Sequence, residues 1–156
     1  MKTLRGSLAC LETNILLSAT NRARSDYQFT RAVFQSARAA GCHLAISGQI
    51  LHEYLVVATR PPHANGFGLD TQSALRNVEW FRSRMVFLEE TEEVLNTLQQ
   101  LISGYHLTGK RIHDANIAAL ALVHRAYLLI TLNTDDFAEF DQLHVAHPDT
   151  ALDALQ

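Results

Sequence analysis

Short, nearly continuous apolar runs alternate along this chain with longer stretches whose apolar residues recur every three or four positions. Residues 8–11, 43–46, 85–88 and 127–132 read as strands, the last with the unbroken apolar character of a parallel strand covered on both faces. Residues 143–146 are a candidate fifth strand. Between them, Ile15, Leu16 and Leu17 begin a helical turn, and Phe29, Val33, Phe34 and Ala37 give the apolar stripe of a helix that runs from Asp26 to a stop at Gly41. Ser47 is positioned to cap a helix that reaches Thr59. Further helices are predicted over 70–82 and over 91–103, the latter with Leu95, Leu98, Leu101 and Ile102 as its core side. Residues 112–125, apolar on almost every side, predict a helix deep in the fold. The Pro- and Gly-bounded stretch 60–68 is the one long loop, and the tail after Pro148 carries little signal. Strands alternating with helices predict an α/β fold, a three-layer α/β/α sandwich with a central mostly parallel sheet.

The acids sit where such a fold exposes its working edge. Glu12 and Asp136 follow strands directly, Glu53 lies in the second turn of a helix at the rim of its apolar face, and Asp114 heads the buried helix. Ligands gather beyond the carboxyl ends of parallel strands, so the four can converge. Two carboxylates about 4 Å apart repel by roughly 4 kcal/mol near a protein surface, a large fraction of the roughly 5–15 kcal/mol that holds a domain together. Protonation, pairing with Lys or Arg, or a divalent cation would relieve this. An all-oxygen donor set favours Mg²⁺ or Mn²⁺, whose retained waters can be activated against a phosphodiester. Plainer readings stand beside these. Asp114 could cap its helix or complement the dipole, Glu53 could be a solvated rim residue, and Asp135 competes with Asp136, one capping a turn through Phe140 while the other faces inward.

Length and charge narrow the choice. At 156 residues and 47% hydrophobic, the chain suits one domain over 1–156. A net charge of −3 excludes a surface coated with positive charge, so contact with nucleic acid must be local or metal-bridged. Cys10 and Cys42 are too few for a disulfide framework and read as buried apolar groups, which fits a reducing cytoplasm and argues against zinc as the metal. The start, MKTLRGSLACLE, lacks the apolar core of a signal peptide or a membrane span. Glu89, Glu90, Glu92 and Glu93 crowd a helix start and read as solvated dipole complements.

Four stretches together carry a family likeness: Leu11-Glu12-Thr13-Asn14, Glu53-Tyr54 ahead of Thr59-Arg60-Pro61, His113-Asp114-Ala115, and Thr131-Leu132-Asn133-Thr134-Asp135-Asp136-Phe137. In this order the chain resembles the PIN domain, most closely the VapC-type ribonuclease toxins of toxin–antitoxin modules. The resemblance implies endoribonuclease action with Mg²⁺ or Mn²⁺ held by Glu12, Glu53, Asp114 and Asp136, a cognate antitoxin that lays a basic side chain among those acids, and a homodimer. Thr13, Asn14, Thr131, Asn133 and Asp135 would support the acids or their waters, although local turn formation explains the first four as well. Arg22, Arg24, Arg60, Lys110 and Arg111 lie in loops where they could bind RNA phosphates, solvated side chains being the alternative. His52 and His113 adjoin two of the acids but point elsewhere on their helices, and receive no general-base role. The family has Asp where this chain has Glu12. The extra methylene moves that carboxylate by roughly 1.5 Å, about one carbon–carbon bond, which leaves open a catalytically impaired protein that acts by binding antitoxin or RNA. A phosphatase or response-regulator-like domain is disfavoured, because no partner Lys follows Leu132.

Overall fold

The structure, a computed structural model, describes residues 5–155. The first four positions of the N-terminal stretch and the last residue of the expected domain lie outside the described residues. Among the described residues five strands form one all-parallel sheet, β1 (Leu8–Leu11), β2 (His43–Ser47), β3 (Val86–Leu88), β4 (Leu128–Ile130) and β5 (Val145–Ala146), in the order β3-β2-β1-β4-β5. The expected α/β/α sandwich is therefore present. Seven α-helices cover it: α1 (Thr13–Ala19), α2 (Tyr27–Ala40), α3 (Gly48–Thr59), α4 (Thr71–Arg82), α5 (Glu92–Tyr105), α6 (Arg111–Val123) and α7 (Pro148–Ala154).

From β1 the chain builds outward through β2 to β3, then returns to the other side of β1 with β4 and β5. Parallel crossovers are right-handed, so this reversal sends α1–α4 to one face and α5 and α6 to the other. The packing agrees: α1 contacts α2 and α3, α3 contacts α4, and α2 contacts α7, while α5 packs on α6. The reversal leaves a crevice beyond the carboxyl ends of β1 and β4, the topological switch point where open α/β sheets bind ligands.

The core follows the strand pattern. Ala9, Cys10 and Leu11 of β1 and Ile130 of β4 are buried, as are Ala115, Ala118, Ala119 and Leu120 of α6, which lies flat beneath the sheet. Small residues on α6 allow that close approach. Ser47 caps α3 by accepting from the Ile50 amide, Thr91 caps α5 by accepting from the Val94 amide, and Gly41 ends α2 at φ 69°, a conformation that glycine adopts freely. Both cysteines are buried, and burial together with the nearby Glu12 charge pushes the Cys10 thiol up to about 12.

Several expectations need correction. Leu95 does not join the core side of α5, being 52% exposed, while Val94 and Leu101 are buried. Phe29 is likewise exposed in the first turn of α2, whose buried residues are Thr30, Val33 and Ala37. The long loop contains a 3-10 turn, Pro62–Ala64, and the uninformative tail folds as α7, with Ala151 buried. No helix among the described residues is long and apolar enough to cross a membrane.

Candidate active site

Glu12 occupies the first position beyond β1, and its own amide donates to the Ile130 carbonyl at 3.0 Å, so it leaves the sheet at the switch point. It is also the N-cap of α1, accepting a long bond from the Asn14 amide at 3.4 Å. Asn14 ties this junction to the end of β4. Its Nδ2 donates to Thr131 Oγ1 at 3.2 Å, and its Oδ1 accepts from the Leu132 amide at 3.0 Å. Thr131 Oγ1 in turn donates to Glu12 Oε2 at 3.4 Å and accepts from the Asn133 amide at 3.0 Å. Asn14 and Thr131 thus both hydrogen-bond to the first acid and to each other.

Glu53 approaches from α3. Thr13 Oγ1 donates to its Oε2 and Gln49 Nε2 to its Oε1, both at 2.9 Å. Gln49 is itself held by Asn116, whose Nδ2 donates to Gln49 Oε1 at 2.6 Å and also reaches Glu90 at 3.1 Å. Along the chain only the i, i+4 spacing of Gln49 and Glu53 hints at this relay. His113 Nδ1 lies 3.9 Å from Glu53 Oε1 on an exposed ring, in keeping with a bystander. His52 is exposed at the cleft wall.

Asp114 stands in the first turn of α6 but makes no cap bond; Lys110 occupies the cap position. Its partner is Arg111, 3.6 Å away, which also pairs with Glu139. Glu139 is a residue that sequence pattern did not single out, and Arg111 is the cationic neighbour that the motifs had not made evident. Burial, then the charge of Asp136, raises the Asp114 carboxyl above its usual range; Arg111 opposes this and Glu53 adds to it. Asp135 and Asp136 both lie in the 3-10 turn Thr134–Phe137, and the charge of Asp136 is among those that raise the Asp114 carboxyl. Burial is also the largest cause of the rise of Glu12 to about 7. The amides of Asn14 and Thr13 resist it, the charge of Glu53 adds to it, and the Thr131 hydroxyl resists it.

These influences link the acids into one array: Glu12 with Glu53, Glu53 with Asp114, and Asp114 with Asp136. A cleft of about 400 Å³ runs past Glu12, Thr13, Asn14, Glu53 and Asn133, with Arg60 on its wall. The Nε of Arg60 is buried with no hydrogen-bond partner. Arg24 instead pairs with Asp26 at 3.1 Å, and Arg22 and Lys110 are exposed. Among the described residues no group of three or more His, Cys, Asp or Glu side chains is placed so that it could hold a metal ion. The donor set nevertheless fits a hard divalent cation. Apart from a weak contact with His113, Glu12 and Glu53 meet only neutral donors among the described residues, so their charge is uncompensated, and Mg²⁺ completes its shell with waters when few protein oxygens reach it.

A parallel α/β protein with clustered acids at its switch point is a ligand-binding class rather than a single function. The chain belongs to the PIN domain family, whose model matches residues 9–143. Among solved structures it is similar to a chain of VapBC from Salmonella typhimurium bound to DNA, at 19% identity and TM-score 0.69, covering 91% of this chain and 98% of that one. It is similar too to a chain of a toxin–antitoxin complex from Klebsiella pneumoniae, at 25% identity and TM-score 0.61, covering 90% and 97%. VapC20 of Mycobacterium tuberculosis, described as a sarcin–ricin loop cleaving toxin, matches at 13% identity and TM-score 0.63, covering 83% and 93%. No curated protein sequence matches the chain.

Proposed function

We propose that this single-domain protein is a divalent-metal-dependent endoribonuclease of the VapC type, acting in the cytoplasm as a toxin restrained by a cognate antitoxin and working as a homodimer. The observation that supports the reading is the placement of Glu12 and Glu53 along one cleft at the sheet switch point, with the charges of Glu53 and Asp136 acting on Asp114 nearby. Family membership and the likeness to chains of toxin–antitoxin complexes support it.

The four acids would hold Mg²⁺ or Mn²⁺. When bound, such an ion makes a water more acidic and offsets the charge that builds on a phosphodiester. The chain supplies the rest. Thr13 and Gln49 fix both oxygens of Glu53, and Asn14 and Thr131 fix Glu12, so neither carboxylate must reorganise. Arg60, with an unsatisfied buried Nε on the cleft wall, binds a substrate phosphate beside the acids. An antitoxin side chain inserted among the acids would act as Arg111 does towards Asp114, by neutralising the array without chemistry.

A second reading, an impaired nuclease that acts by binding antitoxin or RNA, is favoured by one feature. Glu12 is longer than the family's Asp, and its burial raises its carboxyl to about 7. The test is hydrolysis of single-stranded RNA with Mn²⁺ by the purified protein, its Glu12→Asp form and its Glu53→Gln form. Cleavage by the first two and not the third supports the nuclease. Cleavage by the Glu12→Asp form alone supports the impaired reading, and cleavage surviving Glu53→Gln sinks the site assignment.

A further inference from the structure

A second recess lies at the opposite edge of the sheet, where β2 begins. It has a volume of about 820 Å³ and is walled by α2 and the end of α4, with Arg31, Phe34, Arg38, Trp80 and Arg84 among its lining residues. A shallower recess continues it along α2 past Tyr27 and Arg22, sharing Arg31 and Gln35 with the first. Neither recess is lined by any Asp or Glu. Among the described residues none of Arg22, Arg31, Arg38 and Arg84 forms an ion pair with a carboxylate.

Two of the guanidinium groups rest on an aromatic face. Arg84 lies 4.5 Å and Arg31 5.7 Å from the Trp80 ring centroid, and Phe34 braces the indole at 6.0 Å between centroids. Stacking on an aromatic face fixes the plane of an arginine and leaves its edge N–H groups free for anionic oxygens. Arg31 and Arg38 are two helical turns apart, about 10 Å along α2. The result is a cationic track on a chain whose net charge is −3.

That contrast decides the ligand. The acids at the switch point repel a phosphate chain, so affinity for RNA beyond the single phosphate at Arg60 must come from elsewhere on the surface. We propose that the trough between α2 and α4 docks the sugar–phosphate backbone of single-stranded RNA, away from the acids that cut it. This rests on the nuclease reading above. A polyanion with one charge per nucleotide fits cations spread along a helix, and the neutral Gln28 and Gln35 beside them can hydrogen-bond sugars or base edges. An acidic protein segment is the competing occupant, and the test separates the two.

Binding of a fluorescent single-stranded RNA is measured by anisotropy in EDTA across a salt series, for the wild type, R31Q/R38Q/R84Q and R31K/R38K/R84K. The Gln variant is expected to weaken binding at least about tenfold and to flatten the slope of log affinity against log salt by about 2, near 0.7 for each phosphate no longer neutralised. The Lys variant, which keeps the charge, should retain the slope and so exclude misfolding as the cause. Unchanged affinity and slope in the Gln variant overturn the proposal, as does binding of a poly-glutamate peptide at these arginines in preference to RNA. Hydrolysis of a dinucleotide by the wild type, too short to reach the trough, reports on the acids alone. Its absence counts against the nuclease reading while the anisotropy result still decides the trough.

Discussion

Thr13 and Glu53, forty positions apart in sequence, meet through a 2.9 Å bond from the threonine hydroxyl to Glu53 Oε2. The residue that follows the first acid therefore fixes the second. Replacing Thr13 with Val removes the donor at constant shape and leaves a half-buried carboxylate oxygen without its partner. Unfolding in urea should register a loss of about 1 kcal/mol, and Mn²⁺ titration should register an affinity about 10-fold or more weaker. An unchanged Mn²⁺ affinity would mean that Glu53 needs no such support.

The charge of Asp136 acts on Asp114, so neutralising Asp136 should relieve Asp114. In Asp136→Asn protein the Asp114 carboxyl should titrate lower than in the wild type, which carbon-detected NMR can follow through the pH range. RNA hydrolysis by Asp114→Asn should fall at least about 100-fold with the circular dichroism spectrum unchanged. Retained hydrolysis would remove Asp114 from the site.

Glu12 gives a pH dependence whose sign is fixed. Its carboxyl rises from 4.5 to about 7 on folding, so the folded protein holds the proton more tightly than the unfolded one. Metal-free protein should be most stable below pH 4.5 as far as this group is concerned, lose stability as pH climbs, and level off above 7. The whole loss is roughly 3 kcal/mol. Glu12→Gln should therefore raise Tm more at pH 8 than at pH 5. Divalent ions should reverse the trend in the wild type, because they favour the ionised form.

The placement of Arg60 rests on a glycine. A Cβ at Gly66 would stand 1.9 Å from the Arg60 carbonyl oxygen, a backbone atom that cannot yield. The Gly68 amide closes the same loop by donating to that oxygen at 2.8 Å. Gly66→Ala should cost roughly 1–3 kcal/mol in thermal unfolding and shift Arg60 on the cleft wall. If the alanine protein melts like the wild type, the loop is looser than its contacts require.

The acids were legible in the sequence because each sits at an element boundary that local pattern reveals: Glu12 ends an apolar run, Glu53 borders an apolar face, and Asp114 opens a helix of small residues. Strand alternation likewise carried the fold class. What lay beyond reach depends on contacts between distant segments. Arg111 and Glu139 are 28 positions apart, and Asn116 and Gln49 are 67, so no periodicity announces them. Leu95 and Phe29 fit their helical stripes but face solvent, because a stripe shows which side of a helix is apolar and not how far the sheet beneath extends. Asp135 and Asp136 are neighbours in one 3-10 turn, so sequence position alone does not separate them.

The pairing of β1 with β4 joins Ala9, Cys10 and Leu11 to Leu128, Leu129 and Ile130. During translation Glu12 emerges well before β4, the strand that frames it. Contacts of such sequence separation form late. A nascent chain that has not yet exposed β4 would therefore carry its acids unassembled, and whatever reactivity they confer would wait on that strand, a delay written into the order of the strands.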